Sequence, residues 1–144
     1  MSNFSGTARW QNRDDRFGAG LKLTGINVAE NVPACGKVGI ALMWHADRNV
    51  ATDYTLSVTL LDRLGDRIGQ EDGPPVGEGR PTSRWKTGET ATGTRWITVP
   101  STIPPGEYRI VLSWYDDDER VLANAQGVER IEVGTMSIVP CVAS

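Results

Sequence analysis

Three stretches of the chain alternate apolar and polar residues with a period of two. Val38, Ile40, Leu42 and Trp44 share one phase, Tyr54, Leu56, Val58 and Leu60 a second, and Tyr108, Ile110, Leu112 and Trp114 a third. The residues between them are mostly small or polar, as Ala41, Ser57, Thr59, Arg109 and Ser113 are. Successive side chains of a strand point to opposite faces, so the pattern predicts strands that bury one face and wet the other. Shorter candidates are Leu21 to Val28, Arg67 to Gln70, Thr90 to Val99, Val121 to Ala125, and Val128 to Val133 with an extension through Ile138. From Leu21 onward no window of a dozen residues carries apolar side chains at helical spacing. The expected fold class is all-β: an antiparallel two-sheet sandwich, immunoglobulin-like or jelly-roll, of about eight strands.

The connections fit this reading. Leu64-Gly65-Asp66 and the run Asp116 to Glu119 are short polar links suited to hairpins. Asp72 to Pro81, which holds Pro74-Pro75 and Gly73, Gly77 and Gly79, is long enough to cross between sheets. Residues 1–20 carry only Phe4, Trp10 and Phe17 as large apolar anchors among Asn, Arg, Asp, Ser and Gly. They read as a polar tail, which leaves 21–144 as a single sandwich domain.

A length of 144 residues suits one domain with its own core. A net charge of −3, with both signs interspersed, argues against nucleic acid or an anionic membrane as the main partner. The longest apolar run, Val38 to Trp44, is far too short to span a bilayer as a helix, and Met1 to Gly20 lacks the apolar centre of a signal peptide. Cys35 and Cys141 are too few and too far apart for a zinc or thioredoxin motif. One lies before a central strand and the other after the last, so a single long-range disulfide is the expectation, and it would place the chain in an oxidising compartment.

Several phrases carry a resemblance. They are Tyr54-Thr55-Leu56-Ser57-Val58, Leu60-Leu61-Asp62 followed by Gly65, Gln70 and Asp72, Pro81-Thr82-Ser83-Arg84-Trp85 with Gly88-Glu89, and Pro105-Gly106-Glu107-Tyr108 running into Trp114-Tyr115-Asp116. In order and spacing, over about Lys37 to Val133, they resemble extracytoplasmic β-sandwich accessory domains that follow membrane glycosyltransferase-like proteins of green non-sulfur bacteria. The resemblance implies an outward-facing accessory domain without an assigned chemistry. Trp85 is expected to lid one end of the sandwich, and Glu89 to be a solvated charge.

The chain has no nucleophile elbow, phosphate loop, dinucleotide glycine pattern or paired-histidine zinc motif. His45 is the only histidine and ends a core-phase strand, where a surface position explains it better than a catalytic triad does. Two carboxylates at the right separation would suffice for a glycosidase, a separation that sequence does not display. No motif implies a cofactor. Calcium stays open, because Asp116, Asp118 and Glu119 offer the hard oxygens it prefers, against the alternative of a solvated turn closed by Arg120.

Aromatic placement is the remaining signal. Ile97 and Val99 belong in the core, which turns Trp96 outward with Thr94 and Thr98; Tyr115 falls opposite Trp114. Trp96, Tyr115, Thr94 and Thr98 are therefore the candidate ligand-binding residues, a flat platform for the C–H face of a sugar. The competing explanation is burial under the N-terminal tail, with Trp10 or Phe17 beside them. The expected function is a non-catalytic binding or interaction module, extracellular or at the cell surface, whose partner is a neutral or weakly polar glycan or another surface protein. The alternative is a structural subunit that self-associates by adding residues 1–20 or Gly134 to Ser144 as a strand to a neighbouring copy.

Overall fold

The computed structural model describes residues 10–29, 31–75 and 81–140. Among these the strands are β1 (Gln11–Gly18), β2 (Leu21–Val28), β3 (Asn31–Pro33), β4 (Lys37–Ala46), β5 (Thr55–Leu61), β6 (Arg67–Gly73), β7 (Thr90–Thr98), β8 (Gly106–Tyr115) and β9 (Ile131–Val139), with one short 3₁₀ turn at Thr82–Arg84. They form two sheets, one of four strands in the order β1-β2-β4-β7 and one of five in the order β3-β9-β8-β5-β6. The all-β two-sheet sandwich is thus as the alternation predicts.

Burial follows the three phases. Val38, Ile40, Leu42 and Trp44 of β4 face Leu56, Val58 and Leu60 of β5 and Tyr108, Ile110, Leu112 and Trp114 of β8 across the interior, and all are buried. At one end the aromatic rings stack edge to face, Phe17 on Trp44 at 5.5 Å and Trp44 on Trp114 at 4.8 Å between centroids. This geometry sets the positive edge of one ring on the negative face of the next. Trp85 is buried beside this cluster, and its carbonyl accepts the Val50 N–H. Near the opposite end the Tyr108 hydroxyl donates back to the Pro104 carbonyl, a tyrosine corner that pins the turn entering β8.

Four expectations are corrected. Residues 11–18 are not tail: β1 pairs antiparallel with β2 through the two-residue turn Ala19-Gly20, and Phe17 is buried in the core. The domain thus begins earlier than Leu21, while residues 1–9 lie outside the described residues. Val121 to Ala125 is not a strand, since Val121 makes only a bridge to Tyr115 and Asn124 starts a loop. The sandwich is not wholly antiparallel, because the three-residue β3 runs parallel to β9, with Pro33 opposite Val139. Finally, Glu89 is not simply solvated: its carboxylate accepts the Lys86 N–H and closes the turn before β7.

One tie between the sheets has no counterpart in those expectations. Arg95 sits at a core-phase position of the edge strand β7, and its guanidinium donates to the carbonyls of Leu56, Glu71, Gly73 and Pro74, at 3.1, 3.0, 3.3 and 2.7 Å. Desolvation lowers its pKa, opposed by the charges of Glu71 and Asp72. The sheets are thereby stitched along the β6–β7 edge, where the long connection crosses; residues 76–80 of it lie outside the described residues.

Candidate functional site

The outer face of the four-stranded sheet carries Trp96, Thr94 and Thr98 together, as the phase of β7 requires. Register places Trp96 opposite Gly39, Thr94 opposite Ala41 and Thr98 opposite Lys37. The six-membered edge of the indole rests over Gly39 so closely that a Cβ there would lie 2.7 Å from it. Glycine at 39 thus makes the seat, and the indole stays 60% exposed. Trp10, 42% exposed, lies on the same face against Gly25 of β2, which pairs with Met43. In the register that separates the two indoles, the outward positions include Ala41, Thr94 and Met43. Trp10 joins the platform without covering Trp96, and Phe17 is in the core.

Tyr115 is not part of this face. Trp114 is buried from β8 of the other sheet, which directs Tyr115 to the opposite outer surface of the sandwich. The candidate set therefore divides into Trp96, Thr94 and Thr98 on one side and Tyr115 on the other. Tyr115 stands between two depressions. One, of about 280 Å³, has Thr59, Val111 and Ser113 as its floor and Arg67, Gln70 and Arg130 around it. The other, of about 370 Å³, is bounded by Thr55, Asp72, Asp116 and Glu119. Ser57 and Ser113 pair across β5 and β8 and are buried although they point outward, and the Gln70 amide donates to the Ser57 hydroxyl.

The candidate calcium ligands are organised as a turn. The Asp116 carboxylate accepts the N–H groups of Asp118 and Arg120, both at 2.9 Å, and these hydrogen bonds help hold its pKa below the usual carboxylate range, the Arg120 N–H first among the causes. The Arg120 guanidinium reaches Asp116 at 3.4 Å and Asp118 at 3.0 Å. Carboxylate oxygens of Asp116, Asp117 and Asp118 lie within 4.8 Å of one another, so the loop groups Asp117, rather than Glu119, with the other two. Arg120 already supplies a cation to this loop. The Asp116 oxygens and one oxygen of Asp118 are engaged by the turn and by Arg120.

His45 lies on the outer face of β4 with its Nε2 3.5 Å from the Asp47 carboxylate. Cys35 is disulfide-bonded; Cys141, the other cysteine of the chain, lies outside the described residues. Much of the phrase set has structural work: Thr82 Oγ1 donates to the Thr52 carbonyl and accepts the Tyr54 N–H, and Asp53 accepts the Ser83 N–H. Gln70 and Asp72 differ, since their side chains stand on the groove beside Tyr115. Sequence reasoning placed Trp10 beside Trp96 only as a cover and did not single out Arg67 or Arg130 as site residues.

No protein-family model matches the chain. No curated protein matches it by sequence. Among solved structures it is similar to the C-terminal domain of wzt, with a TM-score of 0.63 and 6% identity over 94% of this chain and 80% of that one. At that identity the likeness shows the fold alone, a β-rich domain. A β-glucosidase from Listeria innocua, solved in complex with isofagomine, aligns with a TM-score of 0.47 and 12% identity over 94% of this chain. The chain spans 17% of the length of that enzyme, and nothing is drawn from the match.

Proposed function

We propose that this domain is a non-catalytic glycan-binding module that reads a neutral polysaccharide on the outer face of its four-stranded sheet. The observation that carries the reading is Trp96: a large indole held in the open by a glycine seat, flanked by Thr94 and Thr98 hydroxyls and joined on the same face by Trp10. Exposed aromatic surface of this kind suits the apolar face of a pyranose ring, with hydroxyls beside it to orient the sugar. The non-catalytic part is supported by a sequence without a nucleophile elbow or paired-histidine zinc motif and by Cys35 lying in a disulfide, which removes it as a nucleophile.

The sequence phrases support an accessory domain of the kind attached to membrane glycosyltransferase-like proteins. The strand order, with β3 parallel to β9, and the Tyr108 corner support an immunoglobulin-like version of the sandwich. An extracellular setting is in keeping with the oxidised Cys35. Self-association through a terminal strand is the weaker reading. β1 and β9 are both used inside the chain's own sheets, and β1 presents Arg13, Asp14, Asp15 and Arg16 with two register shifts at its edge.

The test is retention on immobilised neutral polysaccharide. Trp96→Ala abolishes it and leaves the unfolding midpoint within a few degrees, because an exposed side chain contributes little to the core. Retention unchanged in Trp96→Ala would sink the assignment of the face.

A further inference from the structure

We infer that the groove on the opposite face, beside Tyr115, is a second binding site, for an acidic saccharide whose carboxylate is held between Arg67 and Arg130. The lining of the 280 Å³ depression contains both arginines and no carboxylate, in a chain whose net charge is −3. Its volume is at the lower end of small-ligand sites.

The two cations come from opposite sides. Arg67 pairs with Leu61 on the outer strand β6, and Arg130 immediately precedes β9, so β5 and β8 with their Thr59, Val111 and Ser113 floor lie between them. Three strand spacings of about 4.8 Å and an offset of about four residues along the strands put their backbones roughly 20 Å apart, and both side chains reach into the one depression between.

Arg67 is held in place by a relay. Both Asp72 carboxylate oxygens accept from the Gln70 amide, at 2.8 and 3.1 Å, and the same nitrogen reaches the Ser57 hydroxyl at 3.1 Å. That fixes the amide so that its oxygen faces Arg67, whose guanidinium donates to it at 2.7 Å. One amide oxygen occupies only part of the fork of donors, and the rest are available to a ligand. Arg130 makes no hydrogen bond or ion pair among the described residues. Ordering Arg67 in advance removes part of the rotamer entropy that binding would otherwise cost. Tyr115 adds the apolar ring face at the end of the groove, and the hydroxyls on the floor suit a sugar better than a bare anion. Gln70, Asp72 and Tyr115 belong to the phrases noted in the sequence, and this site gives their side chains a common purpose.

Binding of an oligoglucuronate to the full chain, followed by calorimetry beside the same oligosaccharide after carboxyl reduction and beside inorganic phosphate, tests the inference. In the Trp96→Ala chain, where the neutral reduced sugar cannot bind the opposite face, the native acid binds at least about tenfold more tightly than the reduced form and weakens as salt is raised. Arg67→Gln and Arg130→Gln each weaken it by about tenfold or more, the loss expected for a charge-assisted contact, with the unfolding midpoint unchanged. Gln70→Leu weakens the acid and leaves the reduced sugar unaffected, which marks it as a positioning residue. Equal affinity for acid and reduced sugar, no binding at millimolar concentration, or phosphate competing as well as the acid does would each overturn it. Trp96→Ala leaves this binding intact, so failure here and failure of the Trp96 face are read separately.

Discussion

At the scale of single residues, what each strand position holds decides whether it packs, ties or reads. Leu112 is fully buried, between Val58 and Ile131 in register on the central strands of the five-stranded sheet. Leu112→Ala is expected to destabilise the domain by about 2–5 kcal/mol, from lost transfer energy and the cavity left behind. Equilibrium unfolding in denaturant measures it, and a loss below about 1 kcal/mol would mean a surface position. The same β7 alternation that turns Trp96 outward brings Arg95 inward. A charge at a core phase reads as a fault in the pattern until its four carbonyl partners, one on β5, two on β6 and one just past β6, are seen. Alternation therefore made Trp96 legible and left Arg95 opaque. The glycine seat under Trp96 was equally hidden, because it depends on Gly39 and residue 96 facing each other across β4 and β7, a register that sequence alone does not state.

At the scale of elements, three loops share one construction. In Asp62–Asp66, Asp116–Arg120 and Asn124–Val128 the first side chain accepts the N–H groups two and four residues on, each at 2.9 Å. The backbone closes the same way in all three, and the fourth residue has positive φ: Gly65 at 88°, Gly127 at 78°, and Glu119 at 62°. Glycine takes that conformation without strain, whereas an L side chain is crowded there. Glu119→Gly is therefore expected to stabilise the domain by about 0.5–1 kcal/mol, the relief of strain exceeding the added freedom of the unfolded chain. A lowered unfolding midpoint would show that the Glu119 side chain holds the loop. Two of these turns were legible as polar links; in the Asp116 run, where four acidic residues follow one another, the sequence left a turn and an ion site both open, and the hydrogen bonds to Asp116 show the turn. β1 escaped notice for the converse reason, since Phe17 is its one large apolar residue and the turn that returns it begins with Ala19 in a left-handed conformation. β3 is three residues long, below the length at which any period shows.

At the scale of the molecule, the sandwich separates two surfaces of different chemistry. One carries two exposed indoles, the other is grooved and charged, and they face away from each other. The composition, alternation and turn residues made the two layers legible, but the assignment of strands to sheets was not, and that is why Tyr115 and Trp96 seemed to share a face. The disulfide acts on the same scale. Parallel pairing of β3 with β9 sets Cys35 two residues past the last matched pair, Pro33 and Val139, and Cys141 is two residues past it in sequence. A Cys35–Cys141 bridge of that loop length restricts the unfolded chain by about 4–5 kcal/mol in the entropy model. Intact mass with and without reductant checks it: the expected result is one intramolecular bond in protein made under oxidising conditions, and two free thiols would refute it.

The most direct measurement is the set of indole N–H resonances during titration with a neutral glucan oligosaccharide. The chain has five tryptophans, of which Trp44, Trp85 and Trp114 are buried while Trp10 and Trp96 stand open on one face. The account predicts that the Trp96 resonance moves with ligand, that of Trp10 moves with it or remains still, and the three buried indoles stay in place. A titration in which the Trp96 resonance does not respond, or in which only buried indoles shift, would contradict it.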